Sequence, residues 1–502
     1  MKQLESRSRA WQKAPVVLVY PVLLAAAVSR VLVWLQQRSL FIDEANLARN
    51  FCEKGPADFF QPLSHEQFAP PFFSLVQWIN VQAFGHQELS LRLFPLLCGL
   101  LSIALFYRIA RQLIDRDWVL LAVVWIFCFS DFFLRYATEG KQYSSDMAVS
   151  LGLVFLGLRT KGRFARTWWA MVLGAVVVWF SMPAVFVLFG LGMYAAHQAW
   201  AEKDRTALRR LTAVFAVWLL SFGLYYRVLL NQSLAVAPLI NYHKPWFLPL
   251  FPTNAAEWRQ WADLLSSFPY YTAGYTFVAK LAGGAGMLTG LVWLFRRKQK
   301  LAWLIAVPVL VCLLASGLEK YSLIPRMLVW AFPLALILQG LGWQQWWKAG
   351  RAWYFRAIFL LLFGLTAGLH RSWQYFALPF QIEEVRPVLD DVREAFQPGD
   401  VLVVNHEAWP AVVYYRDCHS QRAQYQFDGR VLHVDWNERP DLQKVSTLGA
   451  KPRRVWLVFS HVVSEQARAA MQADVALTNE FATQKKVVER AGAFAYLLEM
   501  SN

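Results

Sequence analysis

Charged residues are scarce in this chain, and their scarcity indicates its broad class. Only 17% of the 502 residues are charged, whereas 57% are hydrophobic and the mean hydropathy is +0.31. This composition is typical of a membrane protein. The net charge of +16 would fit nucleic-acid binding, but the basic residues lie in short clusters between apolar runs. Membrane topology explains such clusters better, so we expect no nucleic-acid partner.

Several motifs of soluble enzymes and metal sites are also missing. The sequence has no internal repeat, and the part after about residue 380 has no glycine-rich phosphate loop, zinc spacing or nucleophile elbow. The five cysteines show no metal spacing, and Cys98, Cys128 and Cys312 fall within apolar runs. Only Cys52 and Cys418 could meet an oxidising compartment, and the sequence gives little support to a bridge between them.

Long apolar runs alternate with polar loops along most of the chain. A spanning helix needs about 20 mostly apolar residues. The segment 146–158 is short, so its helix should begin in the polar stretch before it, and the break at Met182-Pro183 is either a kink or a turn. We predict about eleven spans, at about 16–36, 88–110, 117–134, 146–158, 168–182, 183–200, 211–229, 272–295, 301–317, 325–342 and 356–372.

Basic residues recur in every second loop, as expected of cytoplasmic loops. This alternation predicts a cytoplasmic N-terminus and an outer C-terminus in a multi-pass protein of a bacterial inner membrane. The first span is too long for a cleaved signal peptide and lacks its small-residue site. The loops predicted outside are 37–87, 135–146, 230–271 and 318–325.

The composition becomes that of a soluble protein near residue 380. Strand-length apolar runs at 401–404 and 455–459 alternate with helical patterns at 383–396 and 464–477. We therefore predict an α-helical polytopic membrane domain, 1–379, followed by a small extracytoplasmic α/β domain, 380–502.

The first outer loop, 37–87, opens with an adjacent acid pair, Asp43 and Glu44. Acids close to hydrocarbon are costly unless paired or used, so a chemical role is the first hypothesis. The alternative is that they favour the N-terminus of a short helix, which would not exclude catalysis. His65 lies further along this loop, but a single histidine at an unknown distance is more often a loop residue than a metal ligand.

The second outer loop contains far more charge than a turn needs. Its candidate residues are Arg135, Glu139, Lys141, Gln142 and Tyr143. A solvated turn is the alternative interpretation.

A third cluster on the same side contains Tyr321 and Arg326, and the arginine either snorkels to the interface or holds a phosphate. One cavity could then hold acids of the first loop and cations of the others. That combination suits transfer from a phosphate leaving group, in which a carboxylate acts as general base and cations stabilise the growing charge.

These residues resemble a known group, the polytopic glycosyltransferases of the GT-C class, in its bacterial family-39-like branch of protein mannosyltransferases and lipid A aminoarabinose transferases. The resemblance covers about residues 16–342. It rests on the ordered motifs Asp43-Glu44-Ala45, Ala69-Pro70-Pro71, Phe84-Gly85, Glu88-Leu89-Ser90-Leu91-Arg92-Leu93, Tyr136, Glu139 to Asp146, and Pro325-Arg326.

The resemblance implies a transferase that moves a sugar from a polyprenyl-phosphate donor to a glycan, lipid or protein acceptor on the periplasmic face, usually with inversion. It implies Asp43 as base or acceptor-orienting group, with Glu44 completing the acid pair. Glu139 and Lys141 would lie at the donor, and Arg326 at its phosphate. No cofactor is certain, and a Mg²⁺ or Mn²⁺ ion bridging Asp43 or Glu139 to the phosphate stays open.

Three other functions remain as alternatives. A flippase or transporter of lipid-linked sugars would also need a cationic cavity, but its polar residues are expected within the spans, often with internal repeats. A polymerase or ligase of lipid-linked glycans would differ chiefly in the acceptor. A membrane anchor for the outer domain would not need eleven spans.

Overall fold

Helices make up most of the computed structural model, which describes residues 2–233, 241–349, 381–434, 452–480 and 482–500. The helices of the first part are Lys2–Leu35, Ile42–Glu53, Pro71–Phe84, Glu88–Leu113, Asp117–Phe129, Asp131–Tyr136, Tyr143–Thr160, Trp168–Val177, Ala184–Ala201, Arg205–Tyr225, Ala255–Ala273, Phe277–Arg297, Gln299–Ile305, Val307–Gly317 and Phe332–Ala349.

Within the described residues, five helices are long and apolar enough to cross a membrane, and a pair bent by 53° would make a sixth. All six coincide with predicted spans. They are Val17–Leu35, Glu88–Leu113, Ala184–Ala201, Arg205–Leu230, Phe277–Arg297 and the pair Gln299–Ile305 with Val307–Gly317. The fold class is therefore confirmed as a mainly helical multi-span membrane protein with a small C-terminal sheet. The total of eleven stays a prediction, since 356–372 lies outside the described residues.

Two uncertain points of the sequence pattern are settled by the helix bounds. The short apolar segment at 146–158 belongs to a helix that starts at Tyr143, inside the polar stretch as predicted. At Met182-Pro183 the chain turns, since one helix ends at Val177 and the next begins at Ala184. A cavity described below lies beside this turn.

The C-terminal unit, meaning the described residues from 381 to 500, contains five strands, β1 Val401–Asn405, β2 Val431–Val434, β3 Arg454–Phe459, β4 Ala482–Arg490 and β5 Ala493–Met500. They form one sheet in the order β2-β1-β3-β5-β4. Strand β1 pairs in parallel with β2 and β3, whereas β5 is antiparallel to both β3 and β4. The helices of this unit are Val385–Ala395, Trp409–Val413 and Glu465–Leu477.

Both faces of the central strands are apolar, so both must be covered. On one face, Leu402 and Val404 of β1 join the core that contains helix Val385–Ala395. On the other face, Val401 and Val403 pack in the core that contains Met471 and Val475. The first of these cores continues into the first outer loop, because it also includes Leu40, Ala45, Leu47, Ala48 and Phe51. The C-terminal unit therefore packs directly on helix Ile42–Glu53, called here the first-loop helix.

A disulfide between Cys52 and Cys418 joins the same two parts of the chain, with a Cα–Cα distance of 5.8 Å. The sequence pattern gave little support to this bridge, and that expectation was wrong. The two residues are 366 positions apart. Only the packing of the C-terminal unit on the first-loop helix brings them together.

Candidate active site

Asp43 lies in the first turn of the first-loop helix, where the helix dipole favours a carboxylate. Its Oδ2 accepts a hydrogen bond of 2.8 Å from Nη1 of Arg326. Nη2 of the same guanidinium donates to the Tyr242 hydroxyl at 3.0 Å. Both charged side chains are about a quarter exposed, so the pair is accessible from outside the protein. The first and third clusters of the sequence analysis therefore meet at this ion pair.

Lys141 brings the charge of the second cluster to the same place. It is buried, and its Nζ donates to Oε1 of Gln67 in the first loop. Burial alone would raise the pKa of Asp43, but the positive charges of Lys141 and Arg326 outweigh burial and hold that pKa below its ordinary value. Burial lowers the pKa of Lys141, and the negative charge of Asp43 opposes this effect. Asp43 is thus an ionised carboxylate between two cations from other loops.

Glu44, the neighbour of Asp43, points to a different partner. Its carboxylate accepts from Nε of Arg92 at 2.9 Å and from the backbone N–H of Gly140. Both charged side chains of this pair are almost fully buried. A Cβ at position 140 would lie 3.2 Å from Glu44 Oε1, so the glycine allows the second loop to approach this closely. In the structure Glu44 links two outer loops, and a catalytic role for it stays a prediction.

Glu139 is buried and pairs with Arg135 one helical turn earlier, with 3.1 Å between Nε and Oε2. Burial and the nearby charge of Glu44 raise the pKa of Glu139, although Arg135 opposes them. Arg135 also lies over the ring of Tyr136. This pair stands beside the Asp43 cluster, within the electrostatic reach of Lys141.

A small cavity lies beside the turn at Met182-Pro183, and its lining includes Gln142 and Met327, the chain neighbours of Lys141 and Arg326. Its lining includes three of the predicted residues, Gln142, Tyr143 and Tyr321. The remaining lining residues are Phe68, Pro70, Asp146, Met182, Pro183 and Met327. The cavity thus has apolar and aromatic walls with a few polar groups, as ligand sites in proteins commonly have.

Tyr321 and His65 are occupied by local contacts. The Tyr321 hydroxyl donates to the Met327 carbonyl at 2.7 Å, so it holds the short helical turn that contains Arg326. The His65 imidazole lies 2.8 Å from a Glu53 oxygen on the same loop. The structure therefore brings Asp43, Lys141 and Arg326 together, and places His65 in a separate pair with Glu53.

Three residues at the site were not singled out as candidates. Arg92 holds Glu44 and the carbonyls of Arg38 and Ser39. A signal for it existed, because an arginine inside an apolar run is costly unless paired. Gln67 contacts Lys141, and Tyr242 contacts Arg326. A glutamine or a tyrosine in a polar loop is not a distinctive sequence signal, so neither residue could be singled out from the sequence.

The side chains around Asp43 and Glu139 do not favour binding of a metal ion. Among the described residues, no three His, Cys, Asp or Glu side chains converge as a metal site. The charged groups that act most strongly on Asp43 are the cations Lys141 and Arg326. A Mg²⁺ or Mn²⁺ ion at Asp43 or Glu139 would have to compete with Arg326 and Arg135 for these oxygens.

Comparisons with known proteins give one family match. The family model described as dolichyl-phosphate-mannose-protein mannosyltransferase matches residues 69–226. A protein of Aquifex aeolicus (strain VF5), described as an uncharacterized protein, is 26% identical over 208 residues. That match spans 40% of this chain and 40% of the relative's own length.

Two solved structures of ArnT from Cupriavidus metallidurans were also matched, one in the apo state and one bound to undecaprenyl phosphate. Both are 14% identical to this chain and cover 98% of the ArnT chain. They cover 98% and 97% of this chain, with TM-scores of 0.39 and 0.41. The family model spans Arg92, Glu139 and Lys141, and with this match the resemblance of the chain to the family-39-like membrane glycosyltransferases is confirmed.

Proposed function

We propose that this protein is a membrane glycosyltransferase that moves a hexosyl or pentosyl group from a polyprenyl-phosphate donor to an acceptor on the periplasmic face. The proposal rests on Asp43, a carboxylate that pairs with Arg326 and feels the positive charge of Lys141. The chain neighbours of these two cations, Gln142 and Met327, line a cavity. The description of the matching family supports the donor class, since dolichyl phosphate is a polyprenyl phosphate.

In the proposed reaction, the acceptor hydroxyl oxygen attacks the anomeric carbon of the donor. Its proton passes to Asp43, the general base. The bond from the anomeric carbon to the phosphate oxygen breaks, and the departing polyprenyl phosphate keeps the electron pair. Arg326 and Lys141 stabilise the negative charge that grows on this phosphate.

The Asp43–Arg326 ion pair would couple donor binding to the strength of the base. A guanidinium has five donors and binds phosphate through two of them. A phosphate that draws Arg326 toward itself weakens the ion pair with Asp43. The pKa of Asp43 then rises from its lowered value, so the carboxylate becomes a better base once the donor is in place.

The test uses the purified full-length protein, a panel of radiolabelled polyprenyl-phosphate hexoses and pentoses, and membrane extracts as acceptors. We expect Asp43→Asn to lower transfer by about 10²- to 10⁴-fold, the usual contribution of a general base. Asp58→Asn removes an exposed acid of the same loop and should leave transfer unchanged. A chelator arm decides whether a divalent cation takes part.

Two outcomes would contradict the proposal. Equal transfer by wild type and Asp43→Asn would remove Asp43 as base. If no donor is consumed while labelled lipid crosses vesicles at the same rate with both proteins, the protein is a flippase. Product of increasing glycan length would instead favour a polymerase.

A further inference from the structure

The segment between the first span and Asp43 is fastened by the C-terminal unit. Glu384 Oε2 accepts from the Ser39 hydroxyl at 3.1 Å. The Tyr415 hydroxyl accepts from the Leu40 N–H at 3.0 Å. The Ser39 hydroxyl and the Leu40 N–H thus obtain these partners from residues more than 340 positions away, so the C-terminal unit helps to fix the position of the segment.

Glu383, also in the C-terminal unit, contacts the residue that precedes Asp43. Its Oε2 accepts a hydrogen bond of 3.0 Å from the backbone N–H of Ile42, the residue before Asp43. Oε1 lies 2.7 Å from Nδ1 of His461, and the Ser460 hydroxyl donates to Oε2 at 3.3 Å. The Glu383 side chain is 1% exposed. A carboxylate this deeply buried, with three partners, holds a fixed position.

The first-loop helix lacks an ordinary N-terminal cap. Its N-cap residue is Phe41, whose side chain cannot accept a hydrogen bond. The first N–H groups of a helix have no partner within the helix, and an acceptor side chain there contributes about 1 kcal/mol. Glu383 supplies such an acceptor from a distant part of the chain, together with a negative charge that the helix dipole favours.

We propose that Glu383 is a positioning residue, which caps the first-loop helix from the C-terminal unit and so holds Asp43 opposite Arg326. The inference rests on the proposed function for the role of Asp43. It assigns to the C-terminal unit a part in catalysis. The Cys52–Cys418 disulfide holds the other end of the same helix, so both ends are tied to this unit.

His461 contacts Glu383 and also acts electrostatically on Asp43. It adopts a left-handed backbone conformation with φ of 60°, which is uncommon for a residue with a Cβ. The hydrogen bond to Glu383 raises the pKa of the imidazole, and the His461 charge contributes to the lowered pKa of Asp43. Glu383 therefore contacts both the backbone before Asp43 and the imidazole of His461.

The experiment measures backbone order and turnover in the full-length protein. In Glu383→Ala, we expect amide hydrogen exchange in the peptide covering 39–44 to become about fivefold faster, as loss of one cap implies. We expect kcat to fall about 10²-fold with little change in the KM for donor, since a displaced base loses rate rather than binding. Glu383→Gln keeps an acceptor oxygen and should retain most of both properties.

The matched control is Glu394→Ala, which removes an exposed acid from the neighbouring helix Val385–Ala395. It should change neither exchange nor kcat. Unchanged exchange at 39–44 in Glu383→Ala would overturn the inference, whatever the activity. Faster exchange throughout the C-terminal unit, or faster exchange at 39–44 with normal kcat, would also overturn it. If wild type shows no transfer, the proposed function fails, and the exchange data still decide whether Glu383 caps the helix.

Discussion

At the scale of single residues, two neighbouring acids have different surroundings. Asp43 is partly exposed and pairs with Arg326, whereas Glu44 is buried and pairs with Arg92. A buried charge loses its hydration, so it depends on its partner. A partly exposed pair depends less on its partner, because water can replace part of the lost contact. The two positions should therefore respond differently to loss of charge.

We expect Glu44→Gln and Arg92→Met each to destabilise the protein by about 3 to 5 kcal/mol, because each leaves an uncompensated buried charge. The double variant should recover part of that loss. Asp43→Asn should destabilise the protein less than either single variant of the buried pair, because the Asp43–Arg326 pair is about a quarter exposed. Thermal unfolding of the detergent-solubilised protein measures all four. Additive losses in the double variant would show that the pair is not coupled.

The second prediction at this scale concerns pH. A base works only when ionised, so transfer falls as the pH drops through the pKa of Asp43. Lys141 holds that pKa below its ordinary value. Lys141→Met should raise the pKa and move the acidic limb of kcat/KM to higher pH. Lys141→Arg keeps the charge and should leave the limb near its original position. An acidic limb that stays in place in Lys141→Met would exclude Asp43 as the titrating base.

At the scale of elements, hydrophobic patterning predicted what depends on local sequence. Five predicted spans coincide with long apolar helices and a sixth with a bent pair of shorter ones. Strands β1 and β3 begin within one residue of the apolar runs that predicted them. The pattern failed where distant parts meet. Neither the Cys52–Cys418 bridge nor the Glu383 contact could be found from spacing, because both need the C-terminal unit to pack on the first loop.

The same limit applies to the candidate site. The acids and cations were predicted from charge placed beside apolar runs, and Asp43, Lys141 and Arg326 do lie together. Their roles in the reaction remain predictions. The different surroundings of Asp43 and Glu44 could not be predicted, because those of Glu44 depend on the distant Arg92 and on the close approach of Gly140.

The disulfide gives a prediction for the first-loop helix. A bridge that closes a long loop usually stabilises a protein by about 2 to 4 kcal/mol. Reduction with a thiol should therefore lower the unfolding temperature of the wild type and the rate of transfer. Cys52→Ser should show both changes without reductant and respond no further to it. Cys98, Cys128 and Cys312 are free and buried, so a remaining effect of reductant in Cys52→Ser would argue against the bridge.

At the scale of the whole molecule, the contact between the C-terminal unit and the first loop constrains the topology. The first loop follows the first span, so it lies opposite the N-terminus if Val17–Leu35 crosses the membrane. The C-terminal unit contacts that loop and must lie on the same side. The total number of spans is then odd, whatever the exact count. Eleven meets this condition, and ten or twelve would not.

Two independent features indicate which side this is. Clusters of Lys and Arg predict that the opposite loops are cytoplasmic, and disulfides persist in oxidising compartments outside the cytoplasm. We therefore expect alkaline phosphatase, which is active only outside the cytoplasm, to be active when fused after Asn502 and inactive when fused after Lys203 or Lys298. Activity at Lys203 or Lys298 would reverse the orientation. An inactive fusion at Asn502 would place the unit with Cys418 in a reducing compartment, where neither the bridge nor a periplasmic donor site could be maintained.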